Sequence, residues 1–509
     1  MKRFAPPEGG ALLFGVTAAH ALAVAACRFL PFVDLPQHVA AARIAWNLRD
    51  PQLAQLYEAN WVPQVNVLAL VLGAPLHALL SEGAAARTLV LLGIAGLAGA
   101  LLYLARAAGR PAWGAIAAMP FALHFGWMYG FLSFGLGIPV LLLVLARLAT
   151  ALDAPDPRWR SKVIDAVLWW LLLLAHALLF AFGAAAVMIW MALPGRERSG
   201  RWRRAVAILP AAFWAVAWWA NTRAVVGRLD PGAGSGAIEA FWHGATAKLY
   251  MVGQALIVAG TDGRVEWTVL AFLGVAVVAT SFVELRSGEP PSSARRFLRA
   301  VALLALLAYA FLPFSIYPRE RLTYGLFLLY PRYLVLVPLL LLPTLRWPVR
   351  PRIAMPLVLL LCAANVAVIG HQFTLFARIA EQARGLDEAV NAIPPGRIVK
   401  SLVYTPRPEG FRYPAFLHVA SYYQARTLGE TDQSFALLPT NPVHYRDLDR
   451  PYLSRRDEHL RPNEFDAGGA RMYDFILVYD REGLWRQRYR SFGRPPVAAA
   501  NGWIVLGPP

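Results

Sequence analysis

The sequence predicts a mainly α fold, a polytopic transmembrane helical bundle of about eleven spans, with a small extracytoplasmic α/β domain at its C-terminal end. Composition is the first ground: the residue types AVILMFWYC make up 58% of the 509 residues and charged residues only 16%, where a globular protein carries about a quarter charged. Apolar stretches of about 20 residues, long enough to cross a bilayer, recur through residue 371, which is the second ground. The third is a change of composition at Gln372, after which 15 of the 31 acidic residues alternate with 18 basic ones. A soluble enzyme, a disordered chain and a disulfide scaffold are thereby excluded.

The excess of 49 Lys and Arg over 31 Asp and Glu would fit a nucleic-acid binder only if it were gathered on one soluble face. It lies instead between the spans, at Lys2 and Arg3, Arg106 and Arg110, residues 147–162, 196–204, 286–299 and 346–352. With their immediate edges, which add Asp165 and Glu284, these segments supply +14 of the net +18. That is the positive-inside pattern of cytoplasmic loops, and no nucleic-acid partner is expected. Only four of the basic residues are Lys, which with abundant Ala points to a GC-rich bacterium and an inner-membrane location. Cys27 and Cys362 fall in separate apolar segments, so no disulfide framework is expected. Val24-Ala25-Ala26-Cys27 imitates a lipoprotein cleavage box, yet the many spans behind it favour an uncleaved first helix.

Holding every basic cluster in the cytoplasm requires an even number of crossings between any two, which sets the topology. The first span, about 11–30, leads outward; residues 31–86 form an external first loop; a span at 87–105 returns. The apolar stretch 66–80 must then be an interfacial or re-entrant helix. Residues 112–146 read as a hairpin broken at Gly126-Trp127-Met128-Tyr129-Gly130, and 163–193 as another turning near His176. Spans at 205–222, 265–284, 300–316, 333–345 and 353–371 complete the odd count, so the N-terminus is cytoplasmic and the C-terminal domain external. The transmembrane domain is thus 1–371 and the soluble one 372–509. In the latter a helix over 374–392 is expected, then strands at 397–404, 475–479 and 503–506, with helical stretches at 415–424 and 483–491.

External acidic residues are the available general bases. Asp34 is the best placed, in Phe32-Val33-Asp34-Leu35-Pro36-Gln37-His38, just after the first span, where partial burial would raise a carboxyl pKa toward a useful value. Pro36 opens a helix running to about Asn47, so Asp34 also reads as that helix's cap. His38, four residues on, shares its face and suits a hydrogen bond or a phosphate contact. No third ligand stands at metal-binding spacing, so a divalent cation is not supported and no cofactor is assigned. A second place is Tyr317-Pro318-Arg319-Glu320-Arg321 with Tyr330-Pro331-Arg332-Tyr333. External arginines run against the positive-inside bias and can hold a phosphate through forked bonds, or else anchor the interface by snorkelling.

These parts, in this order, resemble the GT-C superfamily of integral-membrane glycosyltransferases, of the aminoarabinose and protein mannosyl transferase type. The likeness is carried by Asp34 in FVDLPQH, by 63–86 leading into Ala86-Arg87-Thr88-Leu89, by MYGFLSFGLGIP at 128–139, and by PRYLVLV at 331–337. It implies a glycosyltransferase that takes a sugar from a polyprenyl-phosphate donor reached from the bilayer and delivers it to an extracytoplasmic acceptor. Asp34 would then be the catalytic base. Arg319, Arg321 or Arg332, with Tyr333, would hold the departing lipid phosphate, and His38 would assist at the site. The acidic pair that several such enzymes carry in the first loop is missing here, since Asp34 is followed by Leu-Pro; Asp50 or Glu58 would have to supply a second carboxylate. The rival reading is a transporter or lipid flippase, whose polar groups sit at the membrane midplane rather than crowding one face.

Overall fold

Apolar stretches become helices unless a residue breaks them, and at several places in this chain Pro or Gly does so. The computed structural model describes residues 9–152, 159–193, 198–229, 238–257, 260–318, 326–347, 351–438, 441–447, 449–453 and 459–509. It divides into two compact units, one of Met1–Ala26, Val90–Trp127 and Ser133–Phe373, the other of Cys27–Leu89, Met128–Leu132 and Thr374–Pro509.

Five helices among the described residues are long and apolar enough to cross a membrane, not eleven: Glu82–Ala107, Leu132–Ala151, Arg201–Ala224, Arg264–Ser287 and Ala354–Gln382. Gly10–Ala25, Leu68–Leu79, Ala177–Ala192 and Pro331–Thr344 are apolar but shorter. The difference has a physical cause. Hydropathy averages over residues that break a helix, so residues 112–146, read as a hairpin with one break at 126–130, are cut more often, into Trp113–Ala118, a 3-10 turn Met119–Phe121, Phe125–Met128 and Leu132–Ala151. Several prolines cut Pro331–Thr344 into short pieces in the same way.

In the first unit the expected turn at His176 is present. Trp159–Ala175 and Ala177–Ala192 run back along each other, with Trp169 meeting Phe180 edge-on at 5.8 Å. A Cβ on Gly183 would lie 2.9 Å from the Trp169 ring, so only glycine lets the two helices close. Trp127 is seated between Gly93 and Gly135 in the same manner, at 2.4 and 2.5 Å from the Cβ either would carry. The basic clusters converge on a few acids, of which Asp165 is buried, Glu284 half-buried and Glu289 exposed. Asp165 takes Arg147 and, at 2.7 Å, Arg204; Glu284 takes Arg295 and Arg299, and Glu289 takes Arg295 and Arg346. Glu266 is buried, accepting from the Gly260 amide at 2.8 Å with His371 at 3.6 Å.

The second unit is built on a five-stranded sheet in the order Glu430–Thr431, Ile398–Val403, Phe475–Tyr479, Trp503–Leu506, Pro496–Ala500. The first three run parallel and the last two antiparallel. Phe475–Tyr479 is buried along its whole length, as a central strand covered on both faces must be. Leu35–Asn47 begins with Pro36 in its first turn, as expected, and sends Ile44 into the core that holds Tyr57, Ile476 and Val478. Its Ala41 and Ala42 pack on Leu70 of the short helix Leu68–Leu79, the stretch read as interfacial. The helix expected over 374–392 is broken, ending at Gln382 and restarting as Leu386–Asn391. Gly385 causes the break: its φ is 93°, and a Cβ there would stand 2.6 Å from the Ala500 carbonyl oxygen. The helical stretch expected at 415–424 is displaced to Ser421–Thr427, and that expected at 483–491 shrinks to Arg486–Arg490.

Candidate functional site

Asp34 occupies the N-cap position of Leu35–Asn47, yet its carboxylate makes no capping bond to that helix. Backbone pairing fixes it instead. The Val33 amide donates to the Met128 carbonyl at 3.0 Å and the Asp34 amide to the Tyr129 carbonyl at 3.2 Å. Gly130 makes this approach feasible. At φ 80° it has the left-handed backbone that glycine tolerates, and a Cβ on it would lie 2.6 Å from the Asp34 nitrogen. The sequence break at residues 126–130 therefore delivers a backbone edge against which Asp34 is laid.

The side chain of Asp34, 18% exposed, turns to His418, whose Nε2 is 3.3 Å from Oδ1. His418 is itself buried and held from its other nitrogen, with Nδ1 2.9 Å from Gln433 Oε1. Its ring lies 5.8 Å from that of His459. Gln433 belongs to the turn that leaves the C-terminal end of the parallel strand Glu430–Thr431, the edge where open parallel sheets place their sites. Asp432, next in line, anchors this turn by a fully buried bond to Lys400 at 3.0 Å and by accepting from the Ser401 amide.

His38 sits beside the carboxylate with its ring edge-on to Phe435 at 4.9 Å. Burial lowers its pKa from the ordinary 6.5 to about 4, against the pull of Asp34 and of a hydrogen bond to the Gly130 backbone. The imidazole is therefore neutral at physiological pH. Tyr129, stacked on Phe131 at 5.8 Å and edge-on to Tyr413 at 5.2 Å, has its phenol pKa raised by burial; Arg407 opposes the shift and Asp34 adds to it. A part-exposed carboxylate, a neutral imidazole and the Tyr129–Tyr413 aromatic pair are thus gathered together.

Arg332 and His176 come together within the first unit. The Arg332 Nη1 lies 3.1 Å from His176 Nε2, while Nε donates to the Leu328 carbonyl at 3.2 Å and Nη2 to the Phe327 carbonyl at 3.1 Å. Phe134 packs against both, 5.2 Å from the His176 ring and 5.9 Å from the guanidinium. Tyr333 turns away to Phe182, with ring centroids 5.6 Å apart. Arg319 and Arg321 fall outside the described residues.

The other candidate carboxylates serve the backbone or the surface. Asp50 caps Pro51–Leu56, accepting from the amides of Gln52 at 2.8 Å and Leu53 at 3.4 Å. Glu58 lies opposite His444 in a two-stranded ribbon, exposed and 3.5 Å from Arg446. Among the described residues no group of three or more His, Cys, Asp or Glu is arranged to hold a metal ion. Sequence reasoning missed His418, Gln433 and His459. The available signal was a histidine set among apolar residues in Phe416-Leu417-His418-Val419, which by itself does not distinguish a ligand from a core residue.

No family model matches the chain, and no curated protein matches it either. Solved structures do. A crystal structure of ArnT from Cupriavidus metallidurans bound to undecaprenyl phosphate superposes with a TM-score of 0.56 at 12% identity, covering 97% of each chain. The apo state of the same protein gives 0.55 at the same identity and coverage. The likeness is one of fold, and it runs along nearly the whole chain.

Proposed function

We propose that this chain is an inner-membrane glycosyltransferase moving a sugar from a polyprenyl-phosphate donor to an extracytoplasmic acceptor. The observation that carries the reading is the state of Asp34: it stands at a helix start without capping it, and its carboxylate turns to His418 at the mouth of an aromatic wall. That is the disposition of a group retained for chemistry. The fold shared with ArnT supports the reaction class, and ArnT itself has been captured with undecaprenyl phosphate.

In the proposed step Asp34 accepts the proton of an acceptor hydroxyl while that oxygen bonds to the anomeric carbon of the donor sugar. The bond from that carbon to the phosphate oxygen breaks, and its electron pair leaves on the lipid phosphate. Arg332 stabilises the charge that develops there, as a preorganised cation does for a departing oxyanion. His38, held neutral, donates or accepts a hydrogen bond without competing for the proton. Arg319, Arg321 and Tyr333 are proposed as further donor contacts, and Glu58 as a contact of the acceptor. The finer topology, with about eleven crossings, a cytoplasmic N-terminus and the C-terminal domain outside, belongs to the same proposal.

The test is transfer of radiolabelled sugar from a panel of polyprenyl-phosphate donors in membranes holding the full-length protein. Transfer is expected from at least one donor, and Asp34→Asn abolishes it at unchanged abundance. Full activity in that variant removes Asp34 from the mechanism. Arg332→Ala is expected to raise the donor KM by about tenfold and to leave the acceptor KM near its original value; equal changes in both would assign Arg332 to anchoring.

A further inference from the structure

His176 presents a hydrogen-bonding contradiction that an anion resolves. Its Nδ1 accepts the Leu178 amide hydrogen at 3.2 Å, which is how it caps Ala177–Ala192. A neutral imidazole has one lone pair and one N–H, so it cannot accept at both nitrogens: a hydrogen on Nδ1 would oppose the Leu178 amide and discard the cap, and keeping the cap puts the hydrogen on Nε2. Nε2 in turn lies 3.1 Å from Nη1 of Arg332, and a guanidinium only donates. Two donors therefore face each other. Rotating the ring by half a turn would set carbon against both the Leu178 amide and the guanidinium and discard the cap, so it does not relieve the clash.

Neither partner is loosely held. His176 is 8% exposed and packed edge-on against Phe134, and Arg332 is fixed from behind by the carbonyls of Phe327 and Leu328. We propose that His176 and Arg332 form an oxyanion clamp, in which one phosphate oxygen accepts from Nε2–H and Nη1–H together. The chemistry is that of a phosphate group, carried by a lipid or free in solution; the donor reading above favours the lipid, and the inference rests on that reading for the anion's identity alone. His176 is thus assigned as a phosphate ligand that no sequence motif marks.

The experiment is equilibrium binding to the full-length protein in nanodiscs, with polyprenyl monophosphate, inorganic phosphate and unphosphorylated polyprenol as probes. His176→Asn is the informative variant, because asparagine is itself a favoured N-cap and so retains the helix start while removing the Nε2 donor. Wild type is expected to bind polyprenyl monophosphate saturably and polyprenol far more weakly. His176→Asn is expected to lose about tenfold in affinity for the phosphate lipid at an unchanged thermal midpoint, and Arg332→Ala at least as much. Wild-type affinity in a well-folded His176→Asn protein overturns the clamp and leaves His176 a cap. Inorganic phosphate binding in place of the lipid upholds the clamp while removing the lipid donor from it. A binding loss in both variants, with no sugar transfer from any donor, upholds the clamp and sinks the transferase.

Discussion

Asp34 and Asp50 stand in nearly the same local setting and have opposite fates. Each occupies the N-cap of a helix with proline in its first turn, and both belong to the same compact unit. Asp50 has extended backbone, with φ −65° and ψ 126°, which aims its carboxylate at the amides of Gln52 and Leu53. Asp34 has φ −91° and ψ −1°, and its side chain is carried away from the helix amides toward His418. The difference is imposed from a distance. Gly130 and the carbonyls of Met128 and Tyr129 seize the backbone at Val33 and Asp34, whereas the Asp50 amide is held locally, donating to the Asn47 carbonyl at 2.9 Å. A cap residue denied its cap is a carboxylate available for other work.

The largest expected effect separates the two aspartates directly. Asp34→Asn should lower sugar transfer by at least about a hundredfold, the usual range for a lost general base, with the thermal midpoint in detergent unchanged. A variant that lost stability instead would put Asp34 in the same class as Asp50. Next comes Gly130→Ala, whose methyl group would fall within 2.6 Å of the Asp34 nitrogen at a positive φ. It should destabilise the protein by more than about 1 kcal/mol and reduce transfer as well, because the edge that positions Asp34 must move. Retention of both would mean that residues 128–130 do not set the carboxylate.

A pH effect of intermediate size distinguishes the Asp34 neighbourhood. His38 ionises near 6.5 when unfolded and near 4 in the fold, so the unfolded chain binds its proton first as pH falls. Stability from keeping this ring neutral is complete above pH 6.5 and is lost progressively as pH drops from 6.5 through about 4. Unfolding midpoints followed over that window should fall in the wild type, and less steeply in His38→Asn. Parallel curves would show that His38 is not buried as described. The smallest effect belongs to Asp50→Ala, which should cost about 1 kcal/mol as a lost cap does and leave transfer intact. A loss of transfer there would restore Asp50 as a second acid.

Local features of the fold were readable because local chemistry decides them. Pro36 opens its helix, His176 turns its hairpin, and the runs Phe475–Tyr479 and Trp503–Leu506 are strands as their β-branched and aromatic residues predict. The span count was not readable, since whether an apolar block stays one helix depends on Pro and Gly meeting particular neighbours. Gly385 shows the same limit: the helix over 374–392 breaks there because the Ala500 carbonyl occupies the space a side chain would need. The site divides along the same line. Asp34 and His38 could be named from their spacing, but His418 and Gln433 arrive through the parallel sheet from the far end of the chain, and no local pattern pairs them with residue 34. That Asp34 does not cap was equally hidden, because its backbone angles are dictated by Gly130.

The knots around Asp165, Glu284 and Glu289 carry a consequence for biogenesis. Arginines that the sequence assigns to cytoplasmic loops, where they are expected to bias a nascent hairpin during insertion, end as cross-braces: Arg147 and Arg204 clasp one carboxylate, and Arg295, Arg299 and Arg346 share two others. The steering signal is thus absorbed into the finished architecture. Reporter fusions that neutralise these residues would read orientation and packing at once, whereas the same change at the exposed Arg106 would report orientation alone.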